Sequence, residues 1–165
     1  MGIRCFIGRR TEVGRMIEKP AESRTKVAID VDAKRTIRLL HVDDEPGLLK
    51  IAKQCLEMSG SFQVDTASSV EEAEGKMEKE DYDVVISDYQ MPGKDGIEFL
   101  REVRQSGNSV PFVIFTGKGR EEVAKKAMNL GADQYLNKNG DPETVYTELA
   151  HAIRLAAEGK SHRRK

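Results

Sequence analysis

The chain has 165 residues, 38% apolar, 33% charged and 5% aromatic, with no tryptophan, which fits one domain of ordinary size with a real core. With 27 Lys+Arg against 28 Asp+Glu, it is neither a generic polyanion binder nor an acidic tail. No apolar stretch approaches the roughly 20 residues that span a bilayer, MGIRCFIGRR lacks a signal-peptide core, and Cys5 and Cys55 make neither a disulfide framework nor a ligand set. The expectation is a soluble, cytoplasmic protein.

Charge is unevenly placed along the chain. Residues 1–36 carry 9 basic and 5 acidic side chains, with weak periodicity and a Lys19-Pro20 break. Residues 1–35 are therefore expected to form a disordered extension. A folded domain is expected over 36–157, where 22 acidic residues face 14 basic ones, followed by a basic tail over 158–165 that begins as a frayed helix end.

Within the domain, β-rich runs begin near Ile37, Phe62, Asp83, Pro111 and Gln134, at intervals of 25, 21, 28 and 23 residues. Helical periodicity fills each gap. The runs at 37, 83 and 111 are continuously apolar, as expected of strands buried on both faces. In the first gap Leu48, Ile51, Ala52, Cys55 and Leu56 make an apolar face, with Cys55 a core thiol. Ser69-Val70-Glu71-Glu72 is a capping box opening the second helix. The fourth helix runs from about Arg120 to Leu130 and stops at Gly131, a natural position after a C-cap. Asp141 caps the last helix, with Pro142 at its first position. Five such βα units predict an α/β fold, a parallel sheet with right-handed crossovers and helices on both faces.

In a doubly wound sheet, ligands collect outside the carboxyl ends of the strands. The first apolar run ends in Asp43-Asp44-Glu45, the third in Asp88, the fourth in Thr116-Gly117 and the fifth in Lys138. Two unit charges about 4 Å apart repel by about 4 kcal/mol at an effective dielectric near 20, so three carboxylates in one cleft call for a cation. A few hard oxygen ligands with open water positions suit Mg²⁺. A hydroxyl and an ammonium beside them complete a set suited to phosphoryl transfer.

Four segments carry a family resemblance: His41-Val42-Asp43-Asp44-Glu45-Pro46, the run Ser87-Asp88-Tyr89-Gln90-Met91-Pro92-Gly93-Lys94-Asp95-Gly96, Phe115-Thr116-Gly117, and Gly131 to Lys138. In this order and spacing they resemble the receiver domain of two-component response regulators, with wording similar to archaeal receivers. The resemblance implies a flavodoxin-like (βα)5 fold with strand order 2-1-3-4-5. It implies that Asp88 is the phosphoacceptor and that Asp44 and Asp88 ligate Mg²⁺ directly. Asp43 would act through water, and the Gln90 main-chain carbonyl would complete the set. Lys138 would pair with the phosphoryl oxygens and Thr116 donate to one of them. Tyr135 would follow Thr116 inward, remodelling the surface of the fourth helix, fifth strand and fifth helix. Lys138 is followed by Asn139-Gly140, where the family usually has proline in a cis peptide.

The implied function is a stand-alone receiver rather than an enzyme. Its phosphodonor would be a sensor histidine kinase or a histidine phosphotransfer protein. Its output would pass to a downstream protein or through a homodimer on the switch surface, with no membrane or nucleic-acid partner. A haloacid-dehalogenase type of phosphatase would need a second acid two residues after Asp88, where Gln90 stands. Gly117-Lys118-Gly119-Arg120 lacks phosphate-loop spacing. A nucleic-acid adaptor is not supported by an arm whose one aromatic is Phe6. Taken singly, Asp44 and Glu45 are ordinary helix-start acids, Thr116 is structural and Lys138 is a surface residue; only their joint placement favours chemistry.

Overall fold

A computed structural model describes residues 35–163, so the expected extension up to residue 34 and the last two residues lie outside the described residues. Among the described residues five strands alternate with five helices: β1 (Ile37–Val42), α1 (Pro46–Ser59), β2 (Phe62–Ala67), α2 (Val70–Met77), β3 (Val84–Ser87), α3 (Gly96–Gln105), β4 (Phe112–Thr116), α4 (Glu121–Asn129), β5 (Gln134–Asn137) and α5 (Pro142–Arg163). All strand pairs are parallel, in the order β2-β1-β3-β4-β5. The expected doubly wound sheet is present.

Strand periodicity divides the core into two layers. Successive residues of a strand point to opposite faces, so a continuously apolar strand feeds both. Leu40, Val42, Val85, Phe112 and Ile114 pack with Ala73 of α2, Phe99 and Leu100 of α3 and Ala127 of α4. Leu39, Val84, Ile86, Val113 and Phe115 pack with Leu56 of α1 and Leu149 and Ile153 of α5. The edge strand β2 is different. Phe62 and Val64 are buried and Gln63 is exposed, because its outer side has less cover.

Three local expectations change. The buried face of α1 is Leu49, Ala52 and Leu56, whereas Ile51 is 47% exposed and Cys55 half-buried. Ile51 and Cys55 line the groove toward α5 instead of the sheet, so Cys55 is a groove thiol and not a core one. The Ser69 cap is half of a capping box. Its hydroxyl accepts from the Glu72 N–H at 3.2 Å, but the Glu72 carboxylate accepts from the N–H and hydroxyl of Ser68, both at 2.8 Å. Finally, α5 stays helical to Arg163, through most of the segment expected to be a tail. At the other ends the reading holds. Gly131, at φ +94°, follows α4, and the Asp141 carboxylate accepts from the Thr144 N–H at 3.0 Å.

Candidate functional site

The strand order decides which loops meet. β1 and β3 are neighbours, with Val42 opposite Ser87 in register, so the residues that follow them emerge side by side. The ladder continues one step beyond each strand: the Asp43 N–H donates to the Ala67 carbonyl at 3.0 Å, and the Asp88 N–H to the Val42 carbonyl at 2.9 Å. Asp43 and Asp88 are thus fixed by backbone bonds before their side chains do anything. Ligand atoms of Asp43, Asp44 and Asp88 lie within 4.8 Å of one another. Asp43 is fully buried, Asp88 is 7% exposed, and Asp44 is the most accessible.

A buried carboxylate needs a hydrogen bond or a countercharge. Asp43 accepts from the Glu45 N–H at 3.0 Å, a turn that leads into Pro46 and α1. Asp88 accepts from the Tyr89 N–H at 2.7 Å. The countercharge comes from Lys138, whose ammonium is bonded to the Asp43 carboxylate and lies 3.4 Å from that of Asp88. Its stem passes Phe115, with Nζ 5.6 Å from the ring centroid. The Lys138 N–H donates to the Thr116 carbonyl at 3.0 Å, and Asn139 Nδ2 donates to the Gly117 carbonyl at 3.1 Å. No peptide bond among the described residues is cis, and with Asn139 after it Lys138 still spans the cleft. One ammonium against three carboxylates leaves net negative charge, and the donors are all oxygens. That set fits a divalent cation such as Mg²⁺.

Two expected residues stand apart from this cluster. Thr116 is buried at the end of β4, and its hydroxyl accepts from the Lys118 N–H at 3.3 Å instead of bonding a carboxylate. Tyr135 is half-buried, with a hydroxyl that has no partner among the described residues. That hydroxyl occupies the space a side chain at Gly119 would need, beside the Thr116 methyl. Burial chiefly, with Tyr89 and Asp88 nearby, raises its pKa. Gln90 is exposed on the loop after β3.

Sequence reasoning gave no role to several residues that hold this site. Gly96 opens α3 directly against the Asp88 main chain, and a Cβ there would collide with the Asp88 carbonyl oxygen. Its N–H donates to the Tyr89 carbonyl at 2.8 Å. Asp95 caps α3 by accepting from the N–H groups of Ile97 and Glu98, both at 2.8 Å, while Glu98 accepts from the Asp95 N–H at 2.9 Å. The Asp-x-x-Glu spacing was a usable signal for this box. The Ser87 hydroxyl donates to the Asp88 carbonyl at 2.9 Å. His41, 1% exposed at the end of β1, has neither ring nitrogen partnered among the described residues. Burial first, then the Lys138 ammonium, lowers its pKa to about 3, so the ring is neutral.

Known proteins are similar to this chain in sequence and in fold. The sequence matches the response regulator receiver domain family over residues 39–150. It is 30% identical over 128 residues to the transcriptional regulatory protein ResD of Bacillus subtilis, covering 78% of this chain and 52% of that protein. It is 38% identical over 111 residues to the response regulator Rre1 of Synechocystis, covering 66% and 48%. The chain thus spans about half the length of the curated relatives it matches. A crystal structure of a response regulator receiver domain protein from Clostridium thermocellum superposes with a TM-score of 0.68 at 34% identity, covering 76% of this chain and 97% of that one. A CheY-like receiver from Methanospirillum hungatei gives 0.66 at 26% identity, covering 76% and 99%. With its sheet order, its strand-end carboxylates and these matches together, the chain belongs to the response regulator receiver domain family of two-component signalling.

Proposed function

We propose that this receiver accepts a phosphoryl group on Asp88 from a phosphohistidine, in a reaction that requires Mg²⁺. The observation that carries the reading is the convergence of Asp43, Asp44, Asp88 and Lys138 beyond the carboxyl ends of β1, β3 and β5. An Asp88 carboxylate oxygen forms the new O–P bond while the P–N bond to the donor imidazole breaks, the imidazole nitrogen keeping the bonding pair. A divalent cation held by Asp43, Asp44, Asp88 and the Gln90 carbonyl would supply neutralising charge for the phosphoryl oxygens.

The chain's own residues do the rest. The Tyr89 N–H and the ladder bond to Val42 hold Asp88 in place. Lys138 already sits between Asp43 and Asp88, so added negative charge on Asp88 draws its ammonium away from Asp43. The Thr116 hydroxyl accepts from the Lys118 N–H and keeps its own proton to donate to a phosphoryl oxygen. Turning toward that oxygen weakens its hold on the β4–α4 loop, against which the Tyr135 hydroxyl is packed. The loop, β5 and the facing sides of α4 and α5 form the surface through which we infer output passes to a downstream protein or a second copy. Shifting such a two-state equilibrium from 1:99 to 99:1 takes about 5.5 kcal/mol, within reach of a few charge-assisted hydrogen bonds.

The test is intact mass after exposure to acetyl phosphate or phosphoramidate, with and without Mg²⁺. The expected result is the gain of one PO₃H unit only with Mg²⁺, lost in Asp88→Asn. Labelling of Asp88→Asn to the wild-type extent would refute the assignment.

A further inference from the structure

β5 is an edge strand with β4 as its one neighbour in the sheet, so the backbone that carries Lys138 is held from one side. One ladder bond still reaches it: Asn137 stands opposite Thr116 in register, and the Lys138 N–H donates to the Thr116 carbonyl at 3.0 Å. Beyond that bond two asparagine side chains take over. The Asn137 Oδ1 accepts from the Asn139 N–H at 2.8 Å, closing a tight turn around Lys138. The Asn139 Nδ2 then donates to the Gly117 carbonyl at 3.1 Å, so the far side of the turn is tied to the residue after Thr116. The amide lies close over Gly117, where a Cβ would stand 3.4 Å from the Asn139 Oδ1 and 3.7 Å from the Lys138 Cβ. Both asparagines are exposed, so hydrogen bonds rather than packing hold this turn. A proline at 139 would offer neither the N–H nor the amide.

We propose that Asn137 and Asn139 are positioning residues for phosphoryl transfer: by fixing the Lys138 backbone against the end of β4, they set where its ammonium stands relative to Asp88. This role rests on the reading that Asp88 is phosphorylated and that Lys138 meets the phosphoryl oxygens. The ammonium is carried on a flexible four-carbon stem. It is bonded to Asp43 and lies 3.4 Å from Asp88, so a small shift of its backbone changes which carboxylate it serves. A misplacement of about 1 Å can cost on the order of 10²-fold in rate. Losing one of the two side-chain bonds loosens the turn without opening it, and the cost is then roughly five-fold, the factor of one net hydrogen bond. The two residues act by opposite chemistry, Asn137 as an acceptor and Asn139 as a donor, which makes them separable.

The experiment follows the rate at which acetyl phosphate labels the full chain with Mg²⁺, read by intact mass. At neutral pH Asn139→Asp and Asn139→Leu keep the size of the side chain but cannot donate. Both should slow labelling roughly five-fold, and agreement between a charged and an apolar replacement sets the added charge aside. Asn137→Ala should slow it as much, whereas Asn137→Asp, which still accepts, should restore most of the rate. In a Lys138→Ala background these substitutions should not slow the residual labelling further, a result that a merely structural role in the loop does not give. Amide hydrogen exchange at the Asn139 N–H, protected in the parent and released in Asn137→Ala, judges the turn without any phosphodonor. The role is overturned by parental rates in the Asn139 variants, by equal slowing in Asn137→Ala and Asn137→Asp, by slowing that persists in Lys138→Ala, or by an unprotected Asn139 N–H. A parent chain that never gains a PO₃H unit overturns the phosphoacceptor reading as well. A parent that is labelled on Asp88 no faster than its asparagine variants overturns this role alone.

Discussion

Lys138 and Gly96 show how a single residue can carry consequences beyond its type. Lys138 is marked in the sequence by its place after an apolar run, and its contacts with Asp43 and Asp88 account for how two buried carboxylates are tolerated. Gly96 is the opposite case. At the start of a helix, Gly→Ala ordinarily stabilises by about 0.5–1 kcal/mol. Here the added Cβ would meet the Asp88 carbonyl oxygen, a backbone atom already bonded by the Ser87 hydroxyl, and the sign reverses. Gly96→Ala should cost about 2 kcal/mol in urea unfolding, the scale of overpacking, and should slow phosphodonor labelling because the displaced atom belongs to Asp88. A variant as stable as the parent and labelled at the same rate would show that the loop yields freely. The carboxylates and the ammonium were legible because they end apolar runs. Gly96 was not, because a close backbone approach depends on how α3 meets β3, which no local pattern records.

At the level of elements, the strands were the most legible features and the helix faces less so. β3 and β4 are buried throughout and almost wholly apolar because both sides are covered, and β1 is buried from Leu39 to Val42 for the same reason. The buried face of α1 differs from the one its periodicity suggests because its apolar residues extend around the helix. Leu49, Ala52 and Leu56 take the sheet, while Ile51 and Cys55 take the groove toward α5. The start of α2 shows how a cap signal can be half right, and it carries a pH signature. The Glu72 carboxyl accepts from the Ser68 N–H and hydroxyl and lies 3.0 Å from the Lys76 ammonium. The Ser68 N–H chiefly, then Lys76 and the Ser68 hydroxyl, holds its pKa down to about 2, against an ordinary 4.5. An unfolded chain therefore binds this proton at higher pH than the folded one. The stabilisation is complete above about pH 4.5 and fades as pH falls toward 2. Glu72→Gln should flatten the fall of unfolding free energy across that window. Ser69→Ala, which removes only the cap to the Glu72 N–H, should cost about 1 kcal/mol with the acid slope unchanged. The same slope in Glu72→Gln and the parent would assign the acid loss to other carboxylates.

Across the whole molecule, the order β2-β1-β3-β4-β5 joins stability to chemistry. It makes β1 and β3 neighbours, so the acids that follow them are held together by folding itself, and they disperse when the chain unfolds. Charge repulsion among Asp43, Asp44 and Asp88 is thus a cost borne by the folded state, only partly offset by Lys138. A divalent cation bound there has no comparable site on the unfolded chain, and linkage requires that it stabilise the fold. At one hundred times its dissociation constant the gain is about 2.7 kcal/mol. Mg²⁺ should therefore raise the urea midpoint with an unchanged slope. Asp44→Asn separates the two effects, because Asp44 is the most accessible of the three acids and takes least part in holding the loops. Without a divalent cation this variant should be more stable than the parent by about 1 kcal/mol, the discounted value of one partly exposed repulsion. With Mg²⁺ the order should invert, since the variant lacks a ligand. Unfolding curves for both proteins, with chelator and with saturating Mg²⁺, would measure the crossing. Parallel shifts in the two proteins would mean that the cation binds elsewhere and that Asp44 is no ligand.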